Sequence, residues 1–401
     1  MGKKVLIVGG VAGGASTAAR LRRLDEGAEI IIFEKGKYIS YANCGLPYYI
    51  GNVIKERDAL LLQTPEIMKQ KFNVDVRTEN EVIAINREEK EIVVKNLKTG
   101  NIYREKYDVL VLSTGSFPVR PPIEGINAPN IFTLWTVPDT DMIKNYIKEQ
   151  NLKRAAVIGG GFIGIEMAEN LHQLGMEVSI IEMQDQIMPA MDYEMAQILH
   201  ENIRSNNVNL ILKDSVTRFV YKDSITSIYL QSGKIVDADL IIVSTGVRPN
   251  SELAKDAGLS VNERGGIVVD KYLRTSDENI YAIGDVIKVE DFVSKEDTMI
   301  PLAGPANKQG RICANNICGA NEAYNGTQGT AIAKVFDMAA ASTGLNEKSL
   351  KKKDLVYKKD YFSALIYQRS HAGYYPGAAP LALKLLFDPD GKIFGAQAVG
   401  Q

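Results

Sequence analysis

The sequence is short of what a nucleic-acid or membrane protein needs. Its formal net charge is −2, and Lys and Arg nowhere gather into a long basic stripe. A phosphate-rich partner would find no electrostatic footprint. Clusters such as Lys351-Lys352-Lys353 read as solvated loop. No apolar run reaches the ~18 residues of a membrane span. Met1-Gly2-Lys3-Lys4 leads directly into Val5-Leu6-Ile7-Val8 without a cleavage region, so no secretory leader is expected. Cysteine is scarce as well. Cys44, Cys313 and Cys318 are too few for a disulfide framework. These absences point to a cytoplasmic location, with no nucleic-acid or membrane partner and no metal site.

What is present is an internal echo. With 401 residues, 45% of them hydrophobic, the chain can bury two or three cores. Lys3–Val8 reads as a buried strand running into Gly9-Gly10-Val11-Ala12-Gly13-Gly14. A helix over 15–24 and a strand over 29–33 ending in Glu34 follow. The same order recurs from Arg154. Strand 155–158 meets Gly159-Gly160-Gly161-Phe162-Ile163-Gly164, a helix runs to about Leu174, and strand 177–181 ends in Glu182. Two βαβ units of this kind imply two dinucleotide sites.

Each unit is answered by a returning strand. Residues 107–112 close on Ser113-Thr114-Gly115-Ser116, and 240–243 close on Ser244-Thr245-Gly246. That pattern suggests a second unit inserted into the first. Asn279–Asp285 is another strand, ending in Gly284-Asp285, and a helix over 305–317 is expected after it. From about Tyr324 the character changes to strand-like pieces at 331–336, 382–387 and 394–399, with an Asp390-Gly391 turn. This predicts a small α+β domain. The last strand barely closes before Gln401, so a longer natural protein is expected.

The second glycine loop has the full spacing, with Gly159, Gly161 and Gly164. The first glycine allows the turn, the second admits a pyrophosphate, and the third brings the helix close to the strand. Glu182 falls where a carboxylate accepts from ribose hydroxyls. No Arg follows it in Met183-Gln184-Asp185-Gln186, which predicts NADH over NADPH. The first loop departs from this spacing, because Val11 takes the middle glycine position. Glu34 and the Gly284-Asp285 element nevertheless support a nucleotide there, with Asp285 placed to hold a ribityl hydroxyl. Two dinucleotides in one chain suggest hydride passing from nicotinamide to flavin.

The third feature is Ser40-Tyr41-Ala42-Asn43-Cys44-Gly45-Leu46-Pro47-Tyr48-Tyr49. A cysteine at a helix start is expected to be stabilised as a thiolate. Its place just after the first nucleotide unit favours a redox role over a core one. Cys313 and Cys318 lie in an apolar helix and are expected in the core.

Together these elements resemble the pyridine nucleotide-disulfide oxidoreductase family over essentially the whole chain. The fold class implied is α/β: two Rossmann-like dinucleotide-binding domains, one inserted in the other, plus a C-terminal α+β dimerisation domain. The implied boundaries are an FAD domain at 1–116 and 246–322, an NADH domain at 117–245 and an interface domain at 323–401. The resemblance implies cofactor contacts at Gly9, Val11, Ala12, Gly13, Gly14, Glu34, Lys35, Asn43, Val82, Ser113, Thr114, Gly115, Gly284, Asp285, Leu302 and Ala303 on the flavin side. On the nicotinamide side it implies Gly159, Gly161, Phe162, Ile163, Gly164, Glu182 and Gly246.

The subgroup follows from departures. Tyr49 stands where disulfide reductases carry a second cysteine. Val11 and Ala12 stand where single-cysteine peroxidases and oxidases commonly carry a His. What remains is similar to the coenzyme A-disulfide reductase and persulfide reductase subgroup, with which Ala42–Tyr48, Gly9–Gly14 and Pro301-Leu302-Ala303-Gly304-Pro305-Ala306-Asn307 agree. Arg20 and Arg23, three apart on a helix, share a face with Ser16 and suit a nucleotide's phosphates. The resemblance implies that Ser16, Arg20, Arg23, Ser40 and Asn43 bind coenzyme A. It further implies that Tyr374 or Tyr375 reaches the partner subunit's cysteine in a homodimer.

The expected activity is a reductase that passes electrons from NADH through FAD to a Cys44–CoA mixed disulfide. The small-molecule acceptor is left open among CoA disulfide, CoA persulfide and polysulfide. The alternatives are an NADH oxidase or peroxidase working through a Cys44 sulfenic acid, and a redox-sensing flavoprotein without significant turnover.

Overall fold

In the computed structural model, which describes residues 2–401, the chain forms two compact units from interleaved segments. The first takes the residues up to Asn43, Arg57–Phe117 and Val247–Thr327. The second takes Cys44–Glu56, Pro118–Gly246 and Gln328–Gln401.

The first unit is built on five parallel strands in the order Ile280–Ala282, Val109–Leu112, Lys4–Val8, Glu29–Glu34, Asp75–Thr78. Val5-Leu6-Ile7 and Ile30-Ile31-Ile32-Phe33 are continuous apolar runs because both faces of the sheet are covered. The chain winds one way from Lys4–Val8 and then returns on its other side. The switch in strand order therefore falls at the glycine turn, where such sheets bind ligands. Helix Ala12–Leu24 crosses over, and helix Ala303–Ile317 packs along it. The approach is close because Gly310 has no side chain. A Cβ there would lie 2.6 Å from the Gly13 carbonyl oxygen. An antiparallel meander of Asn80–Asn86, Glu91–Asn96 and Ile102–Lys106 completes the unit.

The second unit repeats the plan, with parallel strands in the order Asn209–Leu212, Glu177–Glu182, Arg154–Ile158, Leu240–Val243, Ile131–Phe132. Helix Phe162–Gln173 follows its glycine turn. Its C-terminal part is an antiparallel sheet in the order Ala331–Val335, Met338–Gly344, Ile393–Gly400, Pro380–Phe387, Phe362–Arg369. Two of these five strands, Met338–Gly344 and Phe362–Arg369, were not legible. The first is a run of small residues, and the second buries little of either face.

Lys384 lies in the strand Pro380–Phe387 with 2% exposure. Asp192, Glu194 and Glu347 surround its ammonium group, and the Tyr361 hydroxyl donates to Glu347. A buried charge needs such partners, and together they hold the ammonium strongly protonated despite its burial. The three carboxylates thus have their cation in the lysine. Among the described residues, no helix is long and apolar enough to cross a membrane.

Candidate active site

In the first unit the strand Lys4–Val8 ends at Gly9, whose φ of +100° suits only glycine. Gly14 sits in the first turn of the helix, where a Cβ would meet the Gly9 carbonyl oxygen at 1.9 Å. Glu34 accepts from the Gly10 N–H at 2.9 Å and the Gly36 N–H at 2.7 Å. A carboxylate has about four acceptor positions, so it keeps capacity for ribose hydroxyls.

Ser113 bonds back to Val8 through its N–H, and the Thr114 hydroxyl donates to the Asn250 carbonyl. Gly115 turns at positive φ, and Ser116 donates to Asp285 at 3.0 Å. Burial raises the Asp285 carboxyl, with the Ser116 bond opposing. Gln309 accepts the Gly284 N–H. Leu302 and Ala303 begin a 15-residue helix whose first N–H groups lack intrahelical acceptors. Gly9–Gly14, Glu34, Ser113–Ser116 and Asp285 therefore lie at the same strand ends. Lys35 is exposed and Val82 buried.

The expected coenzyme A residues are each held differently. Ser16 donates to Asn307, and Arg20 donates through Nε to Asn315 at 2.9 Å. Arg23 lies over the Phe72 ring. Ser40 has a φ of +43°, unusual for a non-glycine, and its N–H bonds to the Gly10 carbonyl. Asn43 is exposed in a short turn, Asn43–Gly45.

In the second unit, Gly159 has φ +108° and Gly164 would place a Cβ 2.1 Å from the Gly159 carbonyl oxygen. Glu182 accepts from the Gly160 N–H at 2.7 Å and the Gln184 N–H at 2.8 Å. This repeats the Glu34 geometry. At Gly161 a Cβ would meet nothing within 4 Å, so the protein leaves open space where a nucleotide's phosphates would come close. Phe162 and Ile163 begin the helix beside it, and Gly246 turns at φ +112°.

Cys44 precedes the five-residue helix Leu46–Ile50, and two expectations about thiols need correcting. Cys44 is exposed, yet packing behind its sulfur raises the thiol, and Glu166 raises it further. Packing and the Glu166 charge thus outweigh the helix start. Cys313 is buried as expected, but Cys318 is exposed, because it caps the helix end rather than continuing the buried face.

Glu166 and Tyr48 were not singled out from sequence. The Tyr48 hydroxyl donates to Glu166 at 3.4 Å, a long bond. Burial pushes Glu166 up to about 7, despite Tyr48 and with help from Glu169. Burial and both carboxylates raise the Tyr48 phenol strongly. The available signal was an acid inside the apolar stretch Phe162-Ile163-Gly164-Ile165-Glu166-Met167-Ala168. Tyr374 is 92% exposed and Tyr375 66% exposed, with the His371 ring edge-on to Tyr375.

Two mononucleotide-type halves, each with a glycine turn facing a backbone-anchored glutamate, define a two-nucleotide oxidoreductase. Residues 3–310 match the family model for pyridine nucleotide-disulphide oxidoreductases, and the chain belongs to that family of enzymes. A coenzyme A disulfide reductase of Staphylococcus epidermidis is 37% identical over 400 residues, covering 99% of this chain and 88% of that protein. An NADH oxidase of Methanocaldococcus jannaschii is 36% identical over 398 residues, covering 99% and 87%. Among solved structures, reduced Bacillus anthracis CoADR-RHD superposes with TM-score 0.97 at 52% identity, covering 100% of this chain and 71% of that one. An NAD-dependent persulfide reductase from A. fulgidus gives 0.95 at 40% identity, covering 99% and 74%.

Proposed function

We propose that this enzyme is an NADH-dependent, FAD-containing reductase of coenzyme A disulfide or persulfide, with Cys44 as its working thiol. The observation that carries the reading is Cys44 itself: a free, exposed cysteine with Tyr49, not a second cysteine, five positions on. A lone thiol exchanges with an external disulfide rather than with an internal partner.

Bound FAD supplies the acceptance of a hydride and delivery of its electron pair to sulfur. The chain's residues do the rest. Gly9–Gly14, Glu34, Ser116 and Asp285 hold the flavin nucleotide. The open space at Gly161 takes the NADH pyrophosphate, and Glu182 takes its adenosine ribose. Glu182 without a following Arg repels a 2′-phosphate. Ser16, Arg20, Arg23, Ser40 and Asn43 hold coenzyme A. The Cys44 thiolate attacks the substrate disulfide, forming a Cys44–CoA disulfide and releasing one CoA thiolate, which takes up a proton. Two electrons from NADH then reopen that disulfide, restoring the Cys44 thiolate and releasing the second coenzyme A as a thiol that takes up the proton released when NADH is oxidised.

Exposed Ile366, Tyr367, Tyr374 and Tyr375 support a homodimer through the C-terminal sheet, with Tyr374 or Tyr375 as proton donor to the leaving sulfur of the partner. A cytoplasmic setting suits a reductase whose working thiol must be kept reduced.

The test is anaerobic NADH-driven reduction of CoA disulfide. Cys44→Ser is expected to lose activity by at least ~10³-fold while retaining FAD, as when a nucleophile is removed. Turnover at the parent rate overturns the reading. The NADH oxidase relative favours a second reading, oxygen as acceptor through a Cys44 sulfenic acid. Oxygen consumption exceeding CoA-disulfide reduction would select it.

A further inference from the structure

The Cys44 thiol sits in a setting that opposes its ionisation, although the proposed chemistry needs the thiolate. The opposing charge comes from one group. Helix Leu46–Ile50 packs against helix Phe162–Gln173, bringing Tyr48 to Glu166 at 3.4 Å. Gly51 closes the contact, since a Cβ there would meet Asn170 Oδ1 at 2.0 Å. Among the described residues no Lys or Arg forms an ion pair with Glu166.

Several charged groups on the packed elements have partners of their own. On the same helix, Glu169 is 1% exposed and paired with Lys334, and it accepts the Phe336 N–H at 2.9 Å. From Arg154–Ile158, Arg154 pairs with Asp239. From Glu177–Glu182, Glu182 is held by its own loop. Lys144 of the helix Val137–Glu149 bonds to the Tyr49 carbonyl and Asn52. Strand Leu240–Val243 carries no titratable side chain. Glu166 is left with a phenol on one side and a thiol within electrostatic reach.

We propose that Glu166 is a positioning residue for Cys44: carboxylate and thiolate compete for one negative charge, and Tyr48 sets which of them holds it. A neutral Glu166 permits the thiolate, whereas an ionised Glu166 returns the proton to sulfur. This rests on the reading of Cys44 as the working thiol, and it deepens that reading by naming what controls its ionisation. Tyr48, one helical turn after Cys44, touches the Glu166 carboxyl, and like charges near one another in a partly buried setting shift one another by about one unit or more. The tuning range near neutrality follows from Glu166 lying close to pH 7.

The test reads thiol ionisation without turnover. The reduced holoenzyme is alkylated with iodoacetamide from pH 6 to 10, and modification of the Cys44 peptide is followed by mass spectrometry. Glu166→Gln is expected to move the profile to lower pH and to speed alkylation at pH 8 by about tenfold, equal to one pKa unit. Tyr48→Phe removes the bond that favours the Glu166 carboxylate, so it moves the profile the same way by a smaller factor. Glu166→Asp keeps the charge and falls between parent and Gln variant. Superimposable profiles for parent and Glu166→Gln overturn the proposal, as do equal shifts for Gln and Asp. If Glu166→Gln fails to fold, Tyr48→Phe decides, and an unshifted profile overturns it. Loss of CoA-disulfide reduction has no bearing on these profiles, so failure of the functional reading remains distinguishable.

Discussion

The two glycine turns have almost the same skeleton and differ at one residue. Both begin with a glycine at φ near +100°, both carry a later glycine at which an added Cβ would lie about 2 Å from a carbonyl oxygen, and both anchor a glutamate on two backbone N–H groups. The middle position is Val11 in one and Gly161 in the other. At Gly161 the protein leaves space for a Cβ, so nothing in the fold demands glycine there. Under the function proposed above, the demand comes from the bound nucleotide. The outer glycines of each turn serve the chain, and on the proposed function the middle one serves the nucleotide.

Five substitutions would break or sharpen that comparison. The largest effect is expected from Gly14→Val and Gly164→Val, where the new Cβ overlaps a carbonyl oxygen. Each should lose about 1–3 kcal/mol or more of stability, read as a lower thermal midpoint. If Gly164→Val melted like the parent, the close approach would not be required. Next comes Gly161→Val, which makes the second turn resemble the first. It should raise KM for NADH roughly tenfold, about 1.4 kcal/mol, with kcat, FAD content and melting nearly unchanged. Equal losses of FAD and NADH binding would erase the distinction between the turns.

A smaller effect is expected for Glu182→Gln. It removes a charge while keeping the side-chain shape, so KM for NADH should rise several-fold and the discrimination against NADPH should narrow, losing ~1 kcal/mol. An unchanged NADH/NADPH ratio in steady-state assays would remove Glu182 from cofactor choice. The smallest effect belongs to Val11→Gly. Val11 is at the helix N-cap, where glycine is tolerated. FAD content and activity should stay within about twofold, about 0.4 kcal/mol. Loss of FAD would show that the valine itself supports the flavin.

The strand–turn–helix repeats were legible because parallel strands buried on both faces leave continuous apolar runs, and because turns at positive φ need glycine. Glu34 and Glu182 were legible for the same positional reason. The bonds that fix them to Gly10 and Gly160 were not, since those depend on the closed turn. Strand Phe362–Arg369 escaped because its exposed face dilutes the apolar signal, as Ile366 and Tyr367 show.

Sequence alone determined that this chain holds two nucleotide-type halves and one cysteine before a short helix, the thiol that the proposed function uses, because local spacing dictates turns and helix starts. The ionisation of that cysteine was decided only in three dimensions. Glu166 lies 122 positions further along the chain, and only the packing of one short helix on another brings its carboxyl to Tyr48 and within reach of the Cys44 sulfur. Packing behind the sulfur and the Glu166 charge, not sequence spacing, then raise a thiol that the helix start was expected to lower.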